Sequence, residues 1–222
     1  MSHLYIAQNT FNFIPIEGKD ISQYYLGTIA PDAIHFRQNY IRAQKAVTHL
    51  YNDIIEYNDE KFSKKWKTNI EIFFNKYKSL INISFLLGYC IHLIADVYYY
   101  DYIYKPFELK LIETQEIEYK EIYSKENLDI DLEIFQKSDY GKSLFPIINE
   151  MKTFNFSDLI LKTDMDRIKN NIVNIQYSNK PLINTINNKH IKINEIMIHN
   201  NNIINYIKEE FLEKYVKKKN CT

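Results

Sequence analysis

The stretch GYCIHLIADVYYYDY, residues 88–102, places an imidazole and a carboxylate inside an apolar run: His92 and Asp96. On a helix, residues spaced i, i+4 leave the same face one turn apart, so this pair offers a divalent cation two ligand atoms. By itself the pair is equally a hydrogen-bonded His–Asp link between helices. Two further residues bear on the choice. Asp32, in TIAPDAIHFR, follows a helix stop, where a loop carboxylate can point inward, and His49, in KAVTHLYND, lies on an otherwise apolar helical side. With His92 and Asp96 they make two imidazoles and two carboxylates. That borderline-hard donor set suits Zn²⁺ and also accepts Mn²⁺ or Fe²⁺. The structural alternative makes Asp32 a helix N-cap and His49 a hydrogen-bonded core histidine.

Ligands from several segments need a frame to hold them, and the helical period dominates this chain. A short helix is expected over 20–29, opened by Asp20 as N-cap and stopped by Pro31. Helices follow over 37–55, 59–79 and 80–103, the last the most apolar and therefore central, with Pro106 ending it or following shortly after its end. Beyond 107 the texture is charged and amphipathic, with helices over 111–124, 127–137, 143–152, 157–175 and 192–217 and an Asn-rich loop at 178–190. No long alternation of period 2 and no internal repeat is present. The expectation is all-α: one irregular helix bundle over 1–222 around a metal site, residues 1–106 forming the metal-binding core and 107–222 completing the bundle.

Composition narrows the partners. Twenty-eight basic and 28 acidic residues cancel in a chain of 222, so no global charge draws it to nucleic acid or an anionic membrane. Hydrophobic residues make up 45% of it, enough for a real core. Cys90 and Cys221 are far apart, which argues against a disulfide framework. The run INISFLLGYCIHLIADV is shorter than the ~20 residues of a membrane span and would bury two ionisable groups in lipid. With no signal-peptide pattern at the N-terminus, a cytoplasmic location is expected; the oligomeric state is not specified.

The order His3, LGTIAPDAIH, KAVTHL, LGYCIHLIAD resembles the zinc-dependent phospholipase C and S1/P1 nuclease superfamily, most closely its small bacterial zinc-dependent phospholipase C-like branch. The resemblance covers roughly residues 1–106, with a weaker echo in YKEIYSKENLDIDLEIF (119–135). It implies an all-α bundle around a zinc cluster, here one or two ions. Asp32, His49, His92 and Asp96 would hold one ion. Asp96 would bridge to another, shared with His3 and the N-terminal amine or carbonyl. The metal would activate water and clamp a phosphate ester, with Asp32 as general base. The substrate would be a phospholipid headgroup, a nucleotide or another phosphodiester or phosphomonoester.

The chain departs from that pattern in places. Tyr102 stands where the superfamily has a histidine six residues after the aspartate, and Asp101 beside it is a substitute. The later His–carboxylate pair is absent, since His190 and Glu195 are five apart; Asp131 is a possible late oxygen ligand. His35 reads as a neighbour of the ligands or a phosphate contact. Arg37 and Lys45 offset phosphate charge or are exposed helix charges. The tyrosine run at 98–104 lines a groove or fills space between helices. The expected function is a zinc-dependent phosphoesterase, and the alternative is a non-catalytic helical binding module that keeps a structural or vestigial zinc. Whether the site opens on a pocket separates the two.

Overall fold

The structure, a computed structural model, describes residues 2–54, 61–113, 119–137, 140–178, 180–185 and 188–215. Ile55, residues 59 and 60, the middle of the expected 111–124 helix, residues 216–217 and Cys221 lie outside these. Among the described residues there is no strand beyond a single antiparallel bridge between Phe156 and Ile160.

The axis of the bundle is α5 (Ile83–Tyr99), in which every residue from Ser84 to Ala95 is buried. Asn82 opens it, its Oδ1 accepting from the amides of Ser84 and Phe85 at 2.9 and 3.2 Å. Across it lies α2 (Ile21–Ile29), opened as expected by Asp20, whose Oδ1 accepts from Ser22 and Gln23. The amide of Asp20 donates to Ser84 Oγ at 2.9 Å and pins the two helix starts together. Where the helices cross, each offers a glycine. A Cβ on Gly27 would stand 2.0 Å from the Phe85 carbonyl oxygen, and one on Gly88 would stand 2.0 Å from that of Tyr24. The approach is therefore backbone to backbone, which only glycine permits.

The sequence expectation differs from the structure at several joints. The helix after Pro31 is preceded by a 3-10 turn (Pro31–Phe36), and α3 spans only Arg42–Thr48 within the expected 37–55. It stops in a Schellman motif: Tyr51 N donates to Ala46 O at 2.9 Å and Leu50 N to Val47 O at 3.2 Å, with Leu50 left-handed at φ 61. Pro106 does not end the central helix. A π turn (Tyr100–Tyr104) precedes it, with Lys105 N donating to Tyr100 O, and the chain runs on as α6 (Lys105–Glu113). The widened turn loosens the ladder just where proline lacks a donor and its ring needs room. The continuous helix Ile83–Glu113 thus has the length and apolarity to cross a membrane, but 78% of its most apolar window is buried in the bundle.

The remaining helices wrap this axis. α1 (Ser2–Phe11), not anticipated from the sequence, packs on α2 and α5 through Leu4, Ile6 and Ala7. α4 (Phe62–Tyr77) buries Phe62, Trp66, Ile70, Phe73 and Phe74 against α5. α7 (Tyr119–Lys137) is one helix where two were expected, with nothing between 124 and 127 to break it and a Lys125–Asp129 pair at 2.7 Å along its surface. α8 (Tyr140–Glu150) and α9 (Lys162–Asn170) follow, α9 packing on the 3-10 turn. α10 (Ile193–Tyr206) lies against α1 and α5, and α11 (Leu212–Tyr215) follows after a π turn.

Candidate metal centre

His92 occupies the fully buried face of α5 that meets α2. Its Nδ1 donates to the Thr28 carbonyl at 2.8 Å, one residue beyond Gly27. That bond fixes the tautomer: Nδ1 holds the proton, and Nε2 presents a bare lone pair to the interior. His49, the C-cap of α3, is fixed the same way. Its Nδ1 lies 3.1 Å from the Lys45 carbonyl and 3.0 Å from Thr48 Oγ1. Its backbone is held too, by Trp66 Nε1 donating to the His49 carbonyl and by Tyr89 Oη donating to that of Thr48 at 2.7 Å. Both Nε2 atoms are buried and have no hydrogen-bond partner.

They face the two carboxylates. His49 Nε2 is 3.3 Å from Asp32 Oδ1 and 3.3 Å from Asp96 Oδ2; His92 Nε2 is 3.9 Å from Asp32 Oδ2 and 3.8 Å from Asp96 Oδ2. These are lone pairs facing lone pairs, repulsive without a cation between them. Ligand atoms about 2.1 Å from a tetrahedral zinc ion lie about 3.4 Å apart, close to the separations seen. The donors fit the ion in type, number and spacing. Two overlapping triads, Asp32/His49/His92 and His3/His92/Asp96, each keep their ligand atoms within 4.8 Å of one another.

Asp96 presents one oxygen to each side. Oδ2 faces His49, while Oδ1 lies 2.8 Å from Nε2 of His3, whose ring stacks on His92 with centroids 4.0 Å apart. α1 is the element that delivers His3. Behind it, Asp131 of α7 accepts from the Ser2 amide at 3.2 Å and the Ser2 hydroxyl at 3.3 Å. This holds the start of α1 and places Asp131 on the wall of a 370 Å³ cavity with His3, Asp32 and His92.

The electrostatics suit a cation. Burial pushes the His92 imidazole down to about 3, helped by His3, and burial also lowers His49, so both are neutral near pH 7. Burial pushes Asp32 and Asp96 up, but His35 and Lys45 at Asp32 and the His3 hydrogen bond to Asp96 act against it, and both carboxyls lie below the usual carboxylate range. Neutral nitrogens and ionised oxygens are the protonation states a metal requires.

The other sequence candidates divide. His35 Nε2 is 3.5 Å and Lys45 Nζ 4.0 Å from Asp32 Oδ1, both outside the donor cluster. Asp101 turns away and accepts from Ser63 Oγ of α4, so it does not join. Tyr102 is exposed and stacks on His199. Arg37 is not at the site: it pairs at 2.7 Å with Asp164, which is buried in α9. His190 packs on Phe107 at the start of α10's approach, away from the cluster. The sequence reading had no signal for the carbonyls of Thr28 and Lys45, because backbone acceptors leave no mark in residue type.

A second cavity, of 480 Å³, opens on Asp96, His35 and Lys45 from the other side. Its walls are largely aromatic, with Tyr40, Tyr51, Tyr99, Tyr104 and Tyr123 among them. Asp32 is 35% exposed and Asp96 18%, so the donor cluster is reachable from solvent. Residues 2–99 match the family model described as zinc dependent phospholipase C. No curated protein and no solved structure gives a significant match.

Proposed function

Because residues 2–99 belong to the zinc-dependent phospholipase C family, we propose that this chain is a zinc-dependent phosphoric ester hydrolase. The observation that carries the reading is the convergence of two unprotonated, unpartnered imidazole nitrogens, His49 Nε2 and His92 Nε2, on the carboxylates of Asp32 and Asp96 beside an open cavity.

Asp32, His49, His92 and Asp96 hold one ion, and His3 with the other oxygen of Asp96 offers a place for a second. Zinc bound there supplies Lewis acidity toward a phosphoryl oxygen and toward water. The chain's own residues do the rest. Asp32 is the most exposed of the four and accepts the proton of the attacking water. His35, 3.5 Å from it, passes that proton outward. Lys45 faces the same carboxylate from the cavity side and stands where a phosphoryl oxygen would lie. The tyrosine-lined cavity holds the leaving group.

The test is metal content and turnover together. Untagged protein should carry about one or two equivalents of zinc, His92→Ala should lose them, and Asp96→Asn should abolish hydrolysis of a phosphodiester and phosphomonoester panel while staying folded. Zinc retained with no turnover of any ester would leave a binding module with a structural ion. No zinc after loading and dialysis would end the enzyme reading.

A further inference from the structure

The segment that delivers His49 is held from outside its own helix. α3 ends at Thr48, and its last turn leaves carbonyls that the helix itself cannot pair. Three successive ones accept from side chains of two other helices. Tyr89 Oη of α5 donates to Thr48 O at 2.7 Å, Trp66 Nε1 of α4 to His49 O, and Asn69 Nδ2 of α4 to Leu50 O at 2.9 Å. The chain turns sharply at this point, with Leu50 left-handed at φ 61. Trp66 and Asn69 share a face of α4 at i, i+3. Trp66 is the chain's single tryptophan, and both it and Tyr89 are buried.

Spacing ties this clamp to the metal centre. Tyr89, His92 and Asp96 follow one another on α5 at i, i+3 and i+7. One helical face therefore presents two metal donors and the hydroxyl that fixes the segment of a third. Trp66 acts on His49 itself. Its indole holds the carbonyl while the Lys45 carbonyl holds Nδ1, and Nε2 is left 3.3 Å from Asp32 Oδ1 and 3.3 Å from Asp96 Oδ2. Elsewhere α4 buries phenylalanine and isoleucine, at Phe62, Ile70, Phe73 and Phe74. At Trp66 the apolar ring comes with a donor, and that donor is spent on a metal-donor residue. Resting on the zinc-site reading above, we propose that Trp66 and Tyr89 are positioning residues that set His49 for the metal from behind its backbone.

Zinc affinity of the full chain, measured by chelator competition at a temperature where every variant is folded, separates positioning from packing. Trp66→Phe and Tyr89→Phe each remove one donor from a buried ring, and each should bind zinc about tenfold more weakly than wild type. Ile70→Val trims α4 one turn along from Trp66. It should lower the thermal midpoint and leave zinc affinity unchanged. Cobalt loaded in place of zinc absorbs in the visible according to its coordination. Its band should change in Trp66→Phe and Tyr89→Phe and not in Ile70→Val. If Trp66→Phe fails to fold, Tyr89→Phe, which loses a single oxygen atom, decides alone. A folded variant of either residue that matches wild type in affinity or in cobalt band would overturn the proposal and leave the zinc site standing. Wild-type protein that takes up no zinc would overturn both readings. Zinc bound and weakened as expected, with no ester turned over, would end the enzyme reading and leave the positioning in place.

Discussion

Asp96 stands between two histidines with one oxygen for each: Oδ1 at 2.8 Å from His3 Nε2, Oδ2 at 3.3 Å from His49 Nε2. One carboxylate thus joins α1, α3 and α5. The His3 contact is a hydrogen bond, whereas the His49 contact has no proton to share, because the Nδ1 of His49 faces a carbonyl acceptor.

Removing the ion should cost the fold as well as the chemistry. A metal that binds only the folded chain adds about 4 kcal/mol when present at a thousandfold over its Kd. Dialysis against a strong chelator should lower the thermal midpoint, and zinc should restore it. In His92→Ala the midpoint should no longer respond to zinc. Calorimetric scans with and without metal check this.

The glycine crossing offers a second handle. Gly88→Ala drives a methyl group into the Tyr24 carbonyl, 2.0 Å away, so α2 and α5 must separate. The expected cost is about 1–3 kcal/mol or more. Since Thr28 O orients His92 across this crossing, zinc affinity should fall with stability. Denaturant melts and a competitive zinc titration read the two effects separately.

Arg37 and Asp164 form a pair at 2.7 Å, the carboxylate 1% exposed, with Arg37 also donating to the Leu159 carbonyl at 2.9 Å. Arg37→Ala leaves that carboxylate buried and unpaired, at about 3–5 kcal/mol. An Arg37→Met/Asp164→Leu double variant should recover much of the loss. Urea midpoints of the two variants decide it.

Glu133 sets an acid limit. It is buried, and burial raises its carboxyl, but Lys137 and the amide of Thr185, which donates at 2.6 Å, bring it below its ordinary value of 4.5. A folded-state value below the unfolded one means the stabilisation is present above that ordinary value and drains away as pH falls through the folded one. Stability of the wild type should drop below about pH 4.5, and Glu133→Gln should be less stable at neutral pH with a shallower acid decline. Urea melts across the acid range test both.

The donors that side-chain type and spacing could reveal were legible in the sequence. His92 and Asp96 on an apolar helix, and Asp32 and His49 on neighbouring segments, converge in space. Helix-start signals read well at Asp20, where a side-chain acceptor does the capping. His3 came only from the resemblance, since α1 is a few turns long and its start is held by Asp131, a partner far away in the sequence. The early stop of α3 was hidden because a leucine, not a glycine, takes its left-handed position at Leu50. Continuity through Pro106 was hidden for a related reason: a π turn is a change in hydrogen-bond register that no residue type announces. Asp101 looked like a spare ligand by position, but that turn carries it toward Ser63.

The tyrosine-lined cavity is walled by two different parts of the chain. Among the described residues, both candidate metal-binding groups lie between His3 and Asp96, inside the segment that matches the family model. Lys120, Tyr123 and Ser124 come from beyond it. The segment that matches the family model thus supplies the candidate donors, and a segment outside it supplies part of the cavity wall beside them. Replacing the α7 residues that line the cavity should therefore alter its shape and leave the candidate donors in place.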